Sequence, residues 1–362
     1  MKGWGVFIAV IIGACNPQTE TQTAASIENL LLKDHNPISI YKIPRSQVES
    51  AKFPVIDMHS HPYAESVAEL EMWVENMDQF GIEKTMLLTY ATGAEFDSLV
   101  AAYKPYKDRF DLWCGFDYTG YDEPKWTEKA VAELVRCYNQ GAKGVGELGD
   151  KGLGLIYSHP TPAYGLHIDD PRMKPLIEKC GELSMPINIH VAEPMWMYAE
   201  MDSTNDGLMN GYTWKIDKKA KDILLHGELI QTLENVVAHN PKTTFIACHF
   251  ANCSYDLSIL GKLLDQYPNL YADISARYGE TAPIPRYMKS FYEKHQDRLL
   301  YGTDMGFAKE MYEVTFRILE TEDEHFYNKD YFNYHWALNG FGLSDETLKK
   351  LYYDNAERIL GE

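Results

Sequence analysis

The feature that most constrains the fold is a rhythm. From about residue 54 onward, short apolar runs alternate with longer amphipathic stretches, separated by polar or glycine-containing turns. Short apolar runs between turn residues read as buried strands, and stretches with an apolar period of about 3.6 residues read as helices. The strand candidates are "FPVIDMH", "KTMLLTY", "FDLWCGF", "AKGVGEL", "MPINIHV", "TTFIACH", "NLYADIS" and "RLLYGTD". Helices are expected between them at 65–80, 95–107, 125–138, 170–183, 221–239, 255–266 and 285–295. Eight parallel strands joined by helices close into an α/β (β/α)8 TIM barrel. The span from Phe53 to about residue 320 has the roughly 250 residues such a barrel takes, which leaves extra C-terminal helices. The same alternation also allows an open, doubly wound sheet.

Composition narrows the partners. A formal net charge of -19 repels polyanions, which argues against nucleic acid and against electrostatic binding to an anionic membrane surface. A small-molecule substrate is expected, and a homo-oligomer is compatible with the sequence. Cys114, Cys137, Cys180, Cys248 and Cys253 are scattered through apolar segments without a C-x-x-C pair, so a disulfide framework is not expected. They read as small buried hydrophobes, with a thiolate metal site beside His249 as the alternative.

The N-terminus follows another plan. Lys2 precedes a short apolar run ending in small residues, the pattern of a secretory signal and too short to span a bilayer as a mature helix. Ile12-Gly13-Ala14-Cys15 resembles the lipobox of bacterial lipoproteins, which implies cleavage before Cys15 and its acylation. The expected organisation is a signal peptide at 1–14, a polar tether at 15–27 and a barrel domain at 28–362. The implied location is the bacterial cell envelope, with membrane contact only through the lipid.

Chemistry-bearing residues sit at the strand ends. His59 and His61 lie two apart at the end of the first strand, where a period of two points both imidazoles to one face. The fifth strand ends in His190, the sixth in His249 and the eighth in Asp304. In a barrel those C-terminal ends form one ring, so residues distant in sequence become neighbours, as a divalent metal requires. H-x-H alone is compatible with an ordinary polar pair. The concentration at four strand ends is what points to a metal.

"GVGELG" at 144–149 matches the dinucleotide pattern G-x-G-x-x-G, but it lies on the fourth strand and is followed by a Gly- and Pro-containing loop. A nucleotide fingerprint needs a helix there, whose N-terminus holds the pyrophosphate.

With "DMHSHP", "NIHVAEP", "ACHFAN", "YGTDMG" and the closing "YYDNAERILG", the sequence resembles the amidohydrolase superfamily. It is most similar to the amidohydrolase-related branch that includes the aminocarboxymuconate-semialdehyde decarboxylase type. The resemblance implies that His59, His61, His190 and Asp304 bind a divalent metal, zinc being the expected ion, with His249 beside it. It also implies that Glu147 either bridges two ions, as in TatD-like nucleases, or orients an imidazole. Asp304 would shuttle a proton, and His249 would stabilise an oxyanion or act as acid and base. The implied reaction is hydrolysis of a small amide, lactone or ester. The alternatives are a metal-dependent decarboxylase or hydratase, a nuclease, and a lipid-anchored binding protein without turnover.

The long loop after the fifth strand offers Trp196, Tyr198, Asn205 and Trp214 as substrate contacts or as packing. Arg277, after the seventh strand, would hold a substrate carboxylate or pair with Glu280.

Overall fold

Each of the eight apolar runs forms a strand in the computed structural model, which describes residues 27–361 except Pro160 and Asn333. The strands are β1 (Val55–Ser60), β2 (Ile82–Leu88), β3 (Phe110–Trp113), β4 (Val145–Asp150), β5 (Ile187–Val191), β6 (Phe245–Ala247), β7 (Leu270–Asp273) and β8 (Leu299–Leu300). Cys15, the expected signal peptide and the tether as far as residue 26 lie outside the described residues. The chain falls into two units, one ending at His35 and one beginning at Asn36. The described part of the first contains two single helical turns, Ile27–Asn29 and Leu32–Asp34.

All neighbouring barrel strands pair in parallel, β1 to β3 in one ladder and β4 to β8 in another. Two narrow seams join the ladders. At the first, Cys114 bridges Val145, with Cys114 N donating to Gly144 O (3.0 Å) and Gly146 N to Cys114 O (2.9 Å). At the second, Met58 N donates to Tyr301 O (2.9 Å) and Thr303 N to His59 O (3.0 Å). The buried Asp57 carboxylate reinforces this seam by accepting from Thr303 N (3.0 Å) and Thr303 Oγ1 (2.7 Å). The sheet therefore closes on itself, which excludes the open doubly wound arrangement.

Side chains alternate across the barrel wall as a period of two requires. Met86, Leu88 and Trp113 join Ile56, Met58, Ile246, Tyr271 and Leu300 in one buried cluster, completed by Ala356 from the closing helix Asn355–Leu360. Leu87, Leu112 and Cys114 point the other way, into the layer packed by the helices. Helix α1 (Val67–Phe80) shows why these stretches are helical. Ser66 Oγ caps it by accepting from Glu69 N, and Leu70, Trp73, Met77 and Phe80 recur on one buried face. Gly81 ends it at φ 76°, a left-handed position that suits glycine.

Two expected helices start later than their pattern suggests. The fourth is Lys174–Glu182, because the Asp170 side chain holds Arg172 N in a turn and Pro175 fits only a first helical turn. The fifth is His226–His239. Its would-be first turn is drawn away by the bond from Leu224 N to Gly152 O (2.9 Å), and Glu228 caps Leu225 N instead. The loop after β4 carries a small antiparallel hairpin, Gly154–Leu155 with Ala163–Tyr164.

The glycines of "GVGELG" now have a packing reason. A Cβ on Gly144 would come within 2.4 Å of the Trp113 indole, and one on Gly146 within 2.8 Å of Asn188 Cβ. Gly144→Ala is therefore expected to destabilise the fold by about 1–3 kcal/mol through overpacking. Gly227→Ala, where nothing lies within 4 Å, should be neutral or slightly stabilising. Urea midpoints of the two variants check this, and equal midpoints would contradict the packing account.

Candidate metal centre

The C-terminal rim of the barrel is where the backbone is most strained. Tyr90 after β2, Ala192 after β5, His249 to Asn252 after β6, Ala276 after β7 and Asp304 after β8 all have φ between 53° and 63°. Each such non-glycine residue costs roughly 1–2 kcal/mol, and strain of this kind collects at functional sites. Four consecutive left-handed residues turn His249 inward and place the Asn252 amide against the ends of β5, where its Nδ2 donates to Val191 O (3.0 Å) and Ala192 O (3.2 Å).

The structure brings His59, His61, Glu147, His190, His249 and Asp304 together. His59 Nδ1 lies 2.9 Å from Asp273 Oδ2, so this nitrogen carries the proton. Its fully buried Nε2 has no hydrogen-bond partner and faces Asp304 Oδ1 at 3.8 Å and Glu147 Oε2 at 3.9 Å. His61 Nδ1 donates to Leu88 O (2.7 Å), leaving Nε2 at 3.1 Å from Asp304 Oδ1 and 3.5 Å from Glu147 Oε2. On the other side, Glu147 Oε1 is 2.6 Å from His190 Nδ1 and 3.3 Å from His249 Nε2. His249 is oriented by Nδ1, which meets Ser275 O at 3.0 Å and Ser275 Oγ at 2.8 Å.

Two groups with metal-ligand spacing result, His59, His61 and Glu147 in one and Glu147, His190 and His249 in the other. Glu147 belongs to both, with one carboxylate oxygen in each. Asp304 spans the same gap, Oδ1 towards His59 and His61 and Oδ2 3.7 Å from His249 Nε2. A third group adds Cys248 to His59 and His249. Burial and nearby carboxylates push its thiol pKa well above the ordinary value, and Sγ donates to Asn188 Oδ1 (2.6 Å). Cys248 thus behaves as a protonated, buried thiol, and the other described cysteines are free and buried.

The electrostatics make one demand. Burial alone would lower the His59 pKa, but Asp273, Asp304 and Glu147 outweigh it and push it up to about 10. Burial would raise Glu147 and Asp304. The imidazoles around them hold both well below the carboxylate range. Burial and the facing Arg277 lower His249. Carboxylates held ionised beside an imidazole held protonated describe a place that requires positive charge, and His59 Nε2, once its proton is displaced by a cation, is a lone-pair donor aimed at it.

Several participants were not singled out from sequence. Tyr90 OH donates to Glu147 Oε2 (2.8 Å), and Tyr63 OH to Asp304 Oδ1 (3.0 Å). Asp273 and Ser275 hold His59 and His249. All four stand just at or beyond strand ends, so the strand-end rule that found the histidines had the means to reach them.

The substrate contacts expected in the fifth loop divide. The six clustered residues, except His59, line a cavity of about 640 Å³, and Trp214 lines its wall. Trp196, Tyr198 and Asn205 are not among its lining residues. Asn205 donates to Trp196 O and Glu200 O and accepts from Gly207 N, Trp196 packs on Trp336, and the Tyr198 hydroxyl accepts from Glu193 N. They build the loop rather than face the cavity. Arg277 does line it, but its guanidinium donates to Asn252 Oδ1 and Ala276 O and lies 3.6 Å from Glu280.

Residues 56–361 match the family model described as amidohydrolase, and the chain belongs to that family. No curated protein matches the sequence. Among solved structures, 2,6-dihydroxybenzoate decarboxylase from Rhizobium is 18% identical, covering 85% of this chain and 99% of its own, with a TM-score of 0.52. A putative amidohydrolase from Staphylococcus aureus is 16% identical over 86% and 100%, with a TM-score of 0.56. A 5-carboxyvanillate decarboxylase from Novosphingobium aromaticivorans DSM 12444, complexed with manganese, is 14% identical over 87% and 99%, with a TM-score of 0.51. At these identities the likeness is one of fold, a TIM-barrel architecture.

A pH dependence follows for the protein stripped by chelator. The folded-state pKa of His59 is raised, so its contribution to stability is complete below about pH 6.5 and is lost as pH rises through about 10. Urea unfolding with chelator present should show stability falling across that window. Asp273→Asn, which removes the strongest raising partner, should flatten the slope. A slope unchanged by the substitution would count against this assignment.

Proposed function

We propose that the protein is a divalent-metal-dependent hydrolase with two ions bridged by Glu147, acting on a small organic lactone, amide or ester. The observation that carries this reading is the sharing of Glu147 between two donor groups, one oxygen to each. His59, His61 and Asp304 would complete one site, and His190 and His249 the other. The mixed imidazole and carboxylate set suits zinc or manganese. Ions held there supply Lewis acidity and lower the pKa of a water from 15.7 to about 7.

The chain's own groups do the rest. Asp304, kept ionised by its histidines, accepts the proton of the attacking water and returns it to the leaving group. His249, whose Nδ1 proton goes to Ser275 O, keeps an unprotonated Nε2 directed at the centre as a ligand atom. Tyr63 and Tyr90 fix the two carboxylates by hydrogen bonds, which keeps their geometry set before substrate arrives.

Decarboxylation is the second reading. Most of the solved neighbours are decarboxylases, several of them with manganese, which favours this reading, and Arg277 stands on the cavity wall where a substrate carboxylate could approach. Both readings need the metal, and the product separates them: released CO2 would decide for the lyase.

Elemental analysis should find two ions per chain. His190→Ala and Glu147→Gln should each lower that number and reduce kcat/KM by on the order of a hundredfold or more. A screen of lactones, amides, esters and carboxylated phenols, run with and without chelator and with CO2 capture, identifies the reaction. Full metal loading in both variants would overturn the bridging assignment. Lipid anchoring at Cys15 belongs to the same proposal. Cys15→Ala should move the protein from the membrane fraction to the soluble fraction, and an unchanged distribution would refute it.

A further inference from the structure

Above the ring of histidines and carboxylates the cavity wall carries two cations, Lys151 and Arg277. Each faces a buried carboxylate. Lys151 Nζ is ion-paired with Glu193 Oε1, and Arg277 Nη1 lies 3.6 Å from Glu280 Oε1. Nη1 also donates to Ala276 O at 3.3 Å, and Nε and Nη2 donate to Asn252 Oδ1 at 3.2 and 2.5 Å. Glu193 and Glu280 are only 4% and 7% exposed, so neither can swing into water to release its cation. Displacing either would leave a buried charge without a partner, a change much less favourable than giving up a surface pair.

The aromatic rim is occupied in the same sense. Lys151 Nζ lies 4.9 Å from the centre of the Tyr157 ring and 5.1 Å from that of Trp214. These faces already hold a cation, which leaves little attraction for a cationic ligand. Tyr157 and Trp214 nevertheless remain 46% and 58% exposed. They offer edges and outer faces on which a ring can stack. The amide of Asn210 and the hydroxyl of Tyr334, which donates to Glu280 Oε1 (3.1 Å), add polar groups to the wall.

This wall, which meets the ring where Glu193 Oε1 lies 3.8 Å from His190 Nε2, thus balances two cations with two carboxylates and lays aromatic surface beside them. We infer that it selects an uncharged polar ring, bearing hydroxyl or amide groups, over a carboxylated one. Glu193 and Glu280 set that preference by neutralising Lys151 and Arg277. A volume of about 640 Å³ accommodates a ring of monosaccharide size with its substituents. The inference rests on the metal-dependent hydrolase reading for the bond that is broken, but its binding preference is measurable without turnover.

The test uses two stable probes with one ring, D-glucono-δ-lactam, which ends in CH2OH, and D-glucaro-δ-lactam, which ends in a carboxylate. Calorimetric titration of the metal-loaded protein should give a Kd for the neutral lactam at least about tenfold below that of the acid. Glu280→Gln keeps the shape and frees the guanidinium of its counter-charge. It should tighten the acid by about tenfold to a hundredfold while changing the neutral lactam little, a gain that mere structural damage would not produce. Glu193→Gln gives the same reading at Lys151 should the first variant fail to fold, with near-UV circular dichroism and metal content as the fold checks. Equal Kd values in the unaltered protein, no binding of the neutral lactam at millimolar concentration, or no gain for the acid in the folded variants would overturn the inference. If instead the hydrolase reading is wrong, the substrate screen shows CO2 release or no turnover while these Kd ratios stand.

Discussion

The structure depends on one electrostatic constraint, the gathering of three ionised carboxylates, Glu147, Asp273 and Asp304, into a buried ring of imidazoles. Such charges are tolerable inside a protein only when matched by opposite charge and hydrogen bonds. The fold supplies part of the match through His59, Tyr63, Tyr90 and Ser275. The rest is a demand for cations at the centre. The left-handed turn at His249 to Asn252 belongs to the same design, since a relaxed backbone would carry His249 away from Glu147. The closed barrel is what can hold such strain, because rim residues are tied to the neighbouring strand, Tyr90 N to Gly146 O, Ala192 N to Asp150 O and Asp304 N to His59 O.

The barrel provides the ring, and the two long loops provide the wall above it. The loop after β4 contributes Lys151 and Tyr157, and the loop after β5 contributes Glu193, Asn210 and Trp214. The two are joined at their bases by the bond from Leu224 N to Gly152 O, and Gly152 is needed there because a Cβ would meet Leu224 O at 2.5 Å. The ring of candidate metal ligands and the cavity wall above it therefore come from different layers. Strand ends carry the first, and loops carry the second, the usual division of labour in this fold.

Much of the site was legible because strand ends are legible. His59, His61, His190, His249 and Asp304 each follow an apolar run, and a cylinder turns that one-dimensional regularity into a circle. Glu147 was readable only through the family resemblance, while the sequence around it excluded a phosphate loop because no helix follows. Trp196, Tyr198 and Asn205 show the opposite case. Their residue types suit ligand binding, but in an irregular loop neither periodicity nor spacing says which side chains face inward. Asn205 turned to the backbone of its own loop, while Trp214, with the same kind of side chain as Trp196, reached the cavity. Arg277 lay in the expected place beside the expected Glu280, and the added partner Asn252 is brought to it only by the left-handed turn.

By itself the sequence determined the alternation of elements and the placement of His59, His61, His190, His249 and Asp304 at strand ends, and it left the closed barrel and the open sheet both possible. The alternation and the placement follow from local patterns, apolar period and turn chemistry, that survive without knowledge of neighbours. Only the tertiary structure decided that Glu147 divides its oxygens between two imidazole groups, that Cys248 is a neutral thiol bound to Asn188, and that Lys151 and Arg277 are neutralised. Those outcomes depend on distances between groups far apart in the chain, where a difference of an ångström or two separates a ligand from a bystander. Electrostatic interaction inside a protein changes steeply with such distances.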